Sequence, residues 1–283
     1  MNRTAKRFIK TIIPKSILRR IQMSREASRL KEFYFGNQLR TMLPMLLQGG
    51  ETHNFTYDLT EANLKYMAEI IAVATNKQPV EIERYIQEAI EDVDLRTYFD
   101  DRMAAYEGKK SPAKVKSPFG RRLGWYAVAR ATKPRLIVET GVERGHGALA
   151  LCAALLRNGE DGAPGRYLGT DINPDAGYLL SGKYQTVGKI LFGDSITSLR
   201  VLAEPIDLFI NDSDHSAEYE AEEYKTIASK LSAKAIVLGD NAHVTDKLAR
   251  FSRETSRSFL MFKEQPKNHW YPGAGIGISF PKA

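Results

Sequence analysis

From residue 121 onward, short apolar runs alternate with stretches of helical periodicity, and no other feature of the chain restricts its fold as strongly. The runs fall at 136–138, 167–169, 190–192, 206–210 and 235–238. They are largely aliphatic rather than alternately polar, as strands are when both faces of a sheet are covered. Between them, 147–158, 218–231 and 245–256 read as helices, and a further helix around 123–131 ends at Pro134. Strand–helix alternation of this kind builds a parallel sheet with helices on both faces. The last two runs, 259–262 and 275–280, are joined by a long loop without a helical stretch, which suits an antiparallel pair. The expected architecture is α/β, a mostly parallel sheet that finishes with an antiparallel strand.

Ligands of open sheets bind at the carboxyl ends of the strands, and those ends carry this chain's chemistry. The first run leads into ETGVERGHG at 139–147, before a helix. Its glycines, Gly141, Gly145 and Gly147, let the backbone turn sharply and let a ligand come close. The spacing differs from the G-x-G-x-x-G of dinucleotide-binding loops, and the loop opens on a carboxylate, Glu139. That group repels a pyrophosphate and suits a ligand carrying a cation. The second strand ends in Asp171, where an ionised carboxylate can accept both hydroxyls of a ribose. The third ends in Asp194, placed to meet an adenine amino group. Each of these two aspartates has a simpler alternative role, capping the helix that follows.

The fourth strand ends in NDSDH at 211–215 and the fifth in GDN at 239–241. Asp212, Asp240 and Asn241 form a hard oxygen-donor set without a thiolate, which suits Mg²⁺. Clustered carboxylates repel one another unless a cation sits between them. Helix capping is again the alternative for Asp212 and Asp240, and Asp214 stands as the alternative to Asp212 as ligand.

The remainder of the chain divides into residues 1–35 and 36–120, ahead of the α/β region at 121–283. Residues 36–118 read as helical. Leu64, Met67, Ala68 and Ile71 form one stripe within 61–76; Ile82, Tyr85, Ile86, Ala89, Ile90 and Val93 form another within 79–95, with Pro79 in its first turn. This region would cap the site as a lid. Residues 108–120, rich in Gly, Pro, Ser and Lys, read as a linker or mobile loop.

The net charge of +7 is concentrated at one end: residues 1–31 hold ten Lys and Arg against Glu26 alone, leaving 31 basic and 33 acidic side chains elsewhere. A nucleic-acid groove on the folded body is therefore not expected. In the basic segment Phe8, Ile9, Ile12, Ile13, Ile17 and Ile21 recur at helical spacing, interrupted by Pro14. Such a segment can rest on an anionic membrane surface as a peripheral contact, or pack on the body or on a second subunit of a homo-oligomer. A single cysteine, Cys152, rules out an intramolecular disulfide framework. No apolar run approaches the ~18 residues that span a bilayer. With no secretory signal pattern, a cytoplasmic location is expected.

Residues 121–283 resemble the class I S-adenosylmethionine-dependent methyltransferases, through the ETGVERGHG loop, Asp171, Asp194 and the terminal antiparallel pair. The pairing of NDSDH with GDN is similar to the metal-dependent O-methyltransferases, which include catechol, caffeoyl-coenzyme A and macrolide sugar enzymes. The resemblance implies a Rossmann-like seven-stranded sheet with S-adenosylmethionine and Mg²⁺ as cofactors. It implies that Glu139 and Gly141 approach the methionine end, with Gly145 and Gly147 in the same loop. Asp171 would hold the ribose, Asp194 would lie near the adenine, and Asp212, Asp240 and Asn241 would bind the metal. Catechol-type enzymes carry a basic lysine three residues after the first metal aspartate; here that place is His215, as in the sugar-modifying relatives. That departure implies a glycan or other small-molecule sugar acceptor, with His215 as general base, since imidazole titrates near neutrality. A phenolic O-methyltransferase, or a hydroxylase-like relative on the same fold, is the alternative. Residues 1–120 resemble no family.

Overall fold

Each expected strand forms: β1 (Leu136–Thr140), β2 (Arg166–Asp171), β3 (Gly188–Phe192), β4 (Ile206–Asn211), β5 (Leu231–Gly239), β6 (Arg257–Lys263) and β7 (Gly275–Pro281). The computed structural model describes residues 14–36, 40, 43, 56–106, 119–269 and 271–282. The apolar residues before Pro14, residues 107–118, where the linker is expected, and Trp270 lie outside the described residues. The strands make one sheet in the order β3-β2-β1-β4-β5-β7-β6. Neighbours run parallel except that β7 is antiparallel to both β5 and β6. This is a Rossmann-like, doubly wound sheet, and its strand order reverses at β1.

Register explains why distant motifs meet. Thr170 pairs with Thr140, Thr140 with Asn211, and Asn211 with Gly239. Four strands therefore end level with one another. The residues that follow those four ends, or that close β2, are Gly141, Asp171, Asp212 and Asp240.

Helices cover both faces, as the continuous apolar runs require. Alongside α1 (Lys15–Lys31), α2 (Glu61–Thr75), α3 (Pro79–Glu91) and α4 (Val93–Ala104), the α/β region contributes α5 (Arg122–Thr132), α6 (His146–Glu160), α7 (Ser195–Val201), α8 (Ala217–Ile227) and α9 (Lys247–Glu254). On one face Trp125, Tyr126 and Leu149 of α5 and α6 pack over Ile137, Leu208 and Ile210. On the other, Leu199, Tyr224, Ile227 and Phe251 of α7 to α9 pack over Val138, Phe209 and Val237. A buried aliphatic or aromatic side chain contributes about 1.5–3 kcal/mol, so these two clusters dominate the stability of the region.

Met67, Ile71, Ile82 and Ile86 join the same core as Trp125 and Tyr126. Helices α2 and α3 thus extend the core rather than form a separate lid. The helix expected over 79–95 stops at Glu91, because Asp92 caps the next one by accepting the Leu95 N–H at 2.9 Å. Val93 is consequently exposed and not part of the apolar stripe. Helix α4 is the part that reaches the site side: Tyr98 Oη donates to the Leu179 carbonyl (3.1 Å) and Arg102 to the Tyr178 carbonyl (2.8 Å). The segment before α2 does the same on the other flank, with Leu59 bridged to Pro266 and Tyr57 Oη donating to Glu264 at 2.5 Å.

Pro14 caps the start of α1, and every described side chain of that helix is exposed, Ile17, Ile21, Met23 and Leu30 included. Packing of this helix on the body is therefore not what the described residues show. No described helix is long and apolar enough to cross a membrane.

Candidate active site at the strand ends

The glycine-rich turn is shaped by its neighbours. Gly141 has φ +80°, and a Cβ there would lie 2.0 Å from the Asp212 carbonyl oxygen. Only glycine lets the β1 and β4 turns close on each other; Asp212 N–H donates to Thr140 O between them, and Gly141 N–H donates to Thr170 O of β2, both at 2.9 Å. Gly145 is the residue before α6. A Cβ on Gly147 would collide with Glu139 and Trp125, so this glycine serves the packing of α6 on β1.

A cavity of about 970 Å³ opens above these turns. Six of the ten residues singled out from the sequence line it: Gly141, Asp171, Asp194, Asp212, His215 and Asn241. Glu139, Gly145, Gly147 and Asp240 do not. Glu139 is fully buried and accepts the Tyr167 hydroxyl at 2.5 Å. Burial pushes its carboxyl up to about 8, against the opposing pull of Tyr167 and Arg122. It supports the loop from behind.

At one end of the cavity, Asp171 accepts the Val142 and Glu143 N–H groups (2.9 and 2.8 Å) on Oδ2 and the Asn173 N–H (2.8 Å) on Oδ1. A carboxylate offers about four acceptor positions, so room for a ligand hydroxyl remains. Thr170 Oγ1, on the same wall, is buried without a hydrogen-bond partner. Asp194 does cap a helix: it accepts the Thr197 hydroxyl (2.6 Å) and N–H (2.7 Å), which hold its carboxyl below the usual range. Its Oδ1 accepts Tyr219 Oη at 2.8 Å.

At the other end, ligand atoms of Asp212, His215 and Asp240 lie within 4.8 Å of one another. His215 Nε2 is 3.8 Å from Asp212 Oδ1 and 3.1 Å from Asn241 Nδ2. Burial, then the charge of Asp240, raises the Asp212 carboxyl well above the usual carboxylate range. Asp240 moves the opposite way: burial opposes its ionisation, but the Arg121 guanidinium holds the carboxyl below its ordinary value. Asp214 also borders the cavity, but its Oδ1 accepts the Ser216 N–H at 2.8 Å in the turn before α8, and it is not among the three residues whose ligand atoms converge. His146, the first residue of α6, is buried against Phe99, and burial together with Arg122 and Arg144 keeps its imidazole neutral.

Several groups beside the site went unmarked in the sequence reading. Arg121 binds both oxygens of Asp240, and Arg122 comes to 3.9 Å from Asp212 Oδ2. Glu264, bonded to Tyr57, faces Arg121 from the loop between β6 and β7. Tyr219 and Ser195 line the cavity, and Glu223 lies buried beneath it. Helical spacing does carry one signal: Glu220 and Glu223 share the buried face of α8 with Tyr224 and Ile227.

Residues 138–242 match the family model of a methyltransferase domain. That span runs from the middle of β1 to the turn after β5, and so includes every one of the ten residues above. Among solved structures, the chain resembles the O-methyltransferase from Bacillus cereus in complex with SAH, at 14% identity over 71% of this chain and 100% of that one, with a TM-score of 0.49. The O-methyltransferase TomG from Streptomyces achromogenes, involved in tomaymycin synthesis, matches at 15% identity over 68% and 91%, with a TM-score of 0.49. The SAH-bound methyltransferase PaMTH1 of Podospora anserina matches at 16% over 83% and 100%, with a TM-score of 0.48. No curated protein matches the sequence.

Proposed function

We propose that this protein is an S-adenosylmethionine-dependent O-methyltransferase that uses Mg²⁺ and acts on a sugar hydroxyl. The observation that carries the reading is the convergence of Gly141, Asp171 and Asp194 with Asp212, His215 and Asn241 on one cavity. The first three make a place for a nucleoside, the second three for a cation and an acceptor hydroxyl.

The residues present fit both groups. Thr170 Oγ1 lacks a partner on the cavity wall, and Asp171 keeps acceptor capacity for a ribose hydroxyl. A cation between Asp212 and Asp240 would relieve the repulsion that favours a proton on Asp212. Asp212 and Asn241 would hold Mg²⁺ from the cavity side. Asp240 would do so from behind, since each of its oxygens keeps a lone pair beyond the one given to Arg121.

When bound, S-adenosylmethionine supplies an electrophilic sulfonium methyl and Mg²⁺ lowers the pKa of the acceptor hydroxyl. The chain's own residues do the rest. The β1 turn and Asp171 orient the nucleoside end, and the level strand ends set the acceptor in line with it. His215 Nε2, which otherwise accepts the Asn241 amide N–H at 3.1 Å, would exchange that contact for the acceptor's proton. Burial favours the neutral form of Glu139 behind the loop.

Helix α1, with six cations against Glu26 and every described side chain exposed, is suited to rest on an anionic membrane surface. Transfer of labelled methyl from S-adenosylmethionine to a panel of sugars and catechols, with and without Mg²⁺, tests the acceptor class. Turnover of catechols alone would move the acceptor to phenols, and turnover indifferent to chelation would remove the metal.

A further inference from the structure

Helix α8 buries two carboxylates, and one of them ties the site together. Glu223 is fully buried, and four neutral donors converge on it. Its Oε2 accepts from Thr140 Oγ1 at 3.1 Å and from Asn211 Nδ2. Its Oε1 accepts from Ser213 Oγ at 2.9 Å and from Ser195 Oγ. A buried carboxylate is costly unless its lone pairs are satisfied, so these four partners are held as firmly as they hold it.

The identity of the donors matters more than their number. Thr140 precedes Gly141, and Asn211 and Ser213 flank Asp212 on both sides. Ser195 follows Asp194, and its Oγ lies 2.8 Å from Tyr219 Oη, which in turn bonds Asp194 at 2.8 Å. Three strand ends, β1, β3 and β4, are thereby referenced to one side chain that does not itself line the cavity. Glu220, one turn earlier and also buried, bonds Tyr224 at 2.8 Å and Thr245, and touches none of those ends.

We infer that Glu223 is a positioning residue that fixes the nucleoside end and the acceptor end of the cavity relative to each other. This rests on the function proposed above. A misplacement near 1 Å at a reacting site can cost orders of magnitude, so loosening Glu223 weakens binding before it unfolds the sheet.

The test pairs calorimetry of S-adenosylhomocysteine with hydrogen exchange at 139–142, 193–196 and 211–214 in the full chain. Glu223→Gln turns an acceptor into a donor facing four donors. It is expected to weaken binding at least about tenfold while the protein remains folded, and to speed exchange at all three segments. Thr140→Val, which removes one donor outside the cavity, should weaken binding about threefold or more, and Glu223→Asp should recover part of the loss. Glu220→Gln should lower the melting temperature and leave binding within about twofold. Unchanged exchange at the three segments in folded Glu223→Gln and Thr140→Val overturns the positioning role. Absence of binding by the unaltered protein, with exchange responding as expected, defeats the proposed function instead.

Discussion

Arg121 grips both oxygens of Asp240, at 2.6 and 2.7 Å, and the two side chains are almost wholly withdrawn from solvent. Removing one member of a buried pair leaves the other charged and uncompensated, at a cost of roughly 3–5 kcal/mol. Arg121→Gln should therefore lower the free energy of urea unfolding by about 3 kcal/mol, and adding Asp240→Asn should restore most of it. A loss below about 1 kcal/mol would show that Asp240 has another partner.

The closeness of the β1 and β4 turns makes Gly141 sensitive to a single methyl. At φ +80° and 2.0 Å from the Asp212 carbonyl, Gly141→Ala must move one turn away from the other. We expect a loss of about 1–3 kcal/mol in stability and a matching loss of nucleoside binding. Thermal melts and S-adenosylhomocysteine titrations of the variant measure both; unaltered values would mean that the turns are free to separate.

Glu139 gives a pH dependence with a definite sign. Its carboxyl rises from 4.5 to about 8 on folding, chiefly through burial. The native state thus holds a proton that the unfolded chain releases. The associated stability is complete below 4.5 and is lost as the pH rises through about 8. Glu139→Gln stays neutral and escapes that loss, which is at most about 1.4 kcal/mol per pH unit. Urea midpoints should show the variant gaining on the unaltered protein between pH 5 and about 8; a constant difference would mean that Glu139 is ionised in the fold.

His215 lines the cavity beside Asp212 and Asn241 without being buried. His215→Ala should lower kcat by about 10²–10⁴ and leave S-adenosylhomocysteine binding unchanged. Steady-state kinetics beside calorimetry separates the two quantities. Undiminished turnover would reduce His215 to a hydrogen-bonding partner of Asn241.

The fold was legible because the strands contain short apolar runs and most helices a stripe, patterns imposed by burial; α7, seven residues long, is too short to show one. The strand-end acids were legible for the same reason: once the runs are placed, the residues that follow them must share one edge. What the pattern could not reveal was which acids face the cavity. Asp212 and Asp240 read alike in sequence, yet Asp240 points to Arg121, whose position depends on the turn before α5 and not on any periodicity. Glu139 sits one residue before the end of β1 and so points into the layer, a difference that alternation along a strand settles only once register is known. Asp194 fulfils the capping role and borders the cavity at once. Glu223 lies in the acidic stretch EYEAEEY, where only its spacing from Tyr224 and Ile227 signals burial.

The central claim is that the cavity above β1 to β5 is a nucleoside site of the S-adenosylmethionine type. Isothermal titration of the full chain with S-adenosylhomocysteine tests it most directly. One-to-one binding is predicted, weakened at least about tenfold by Asp171→Ala because that carboxylate shapes the β1 turn and, in the proposed function, would accept a ribose hydroxyl. No detectable binding, or binding that Asp171→Ala leaves intact, would contradict it.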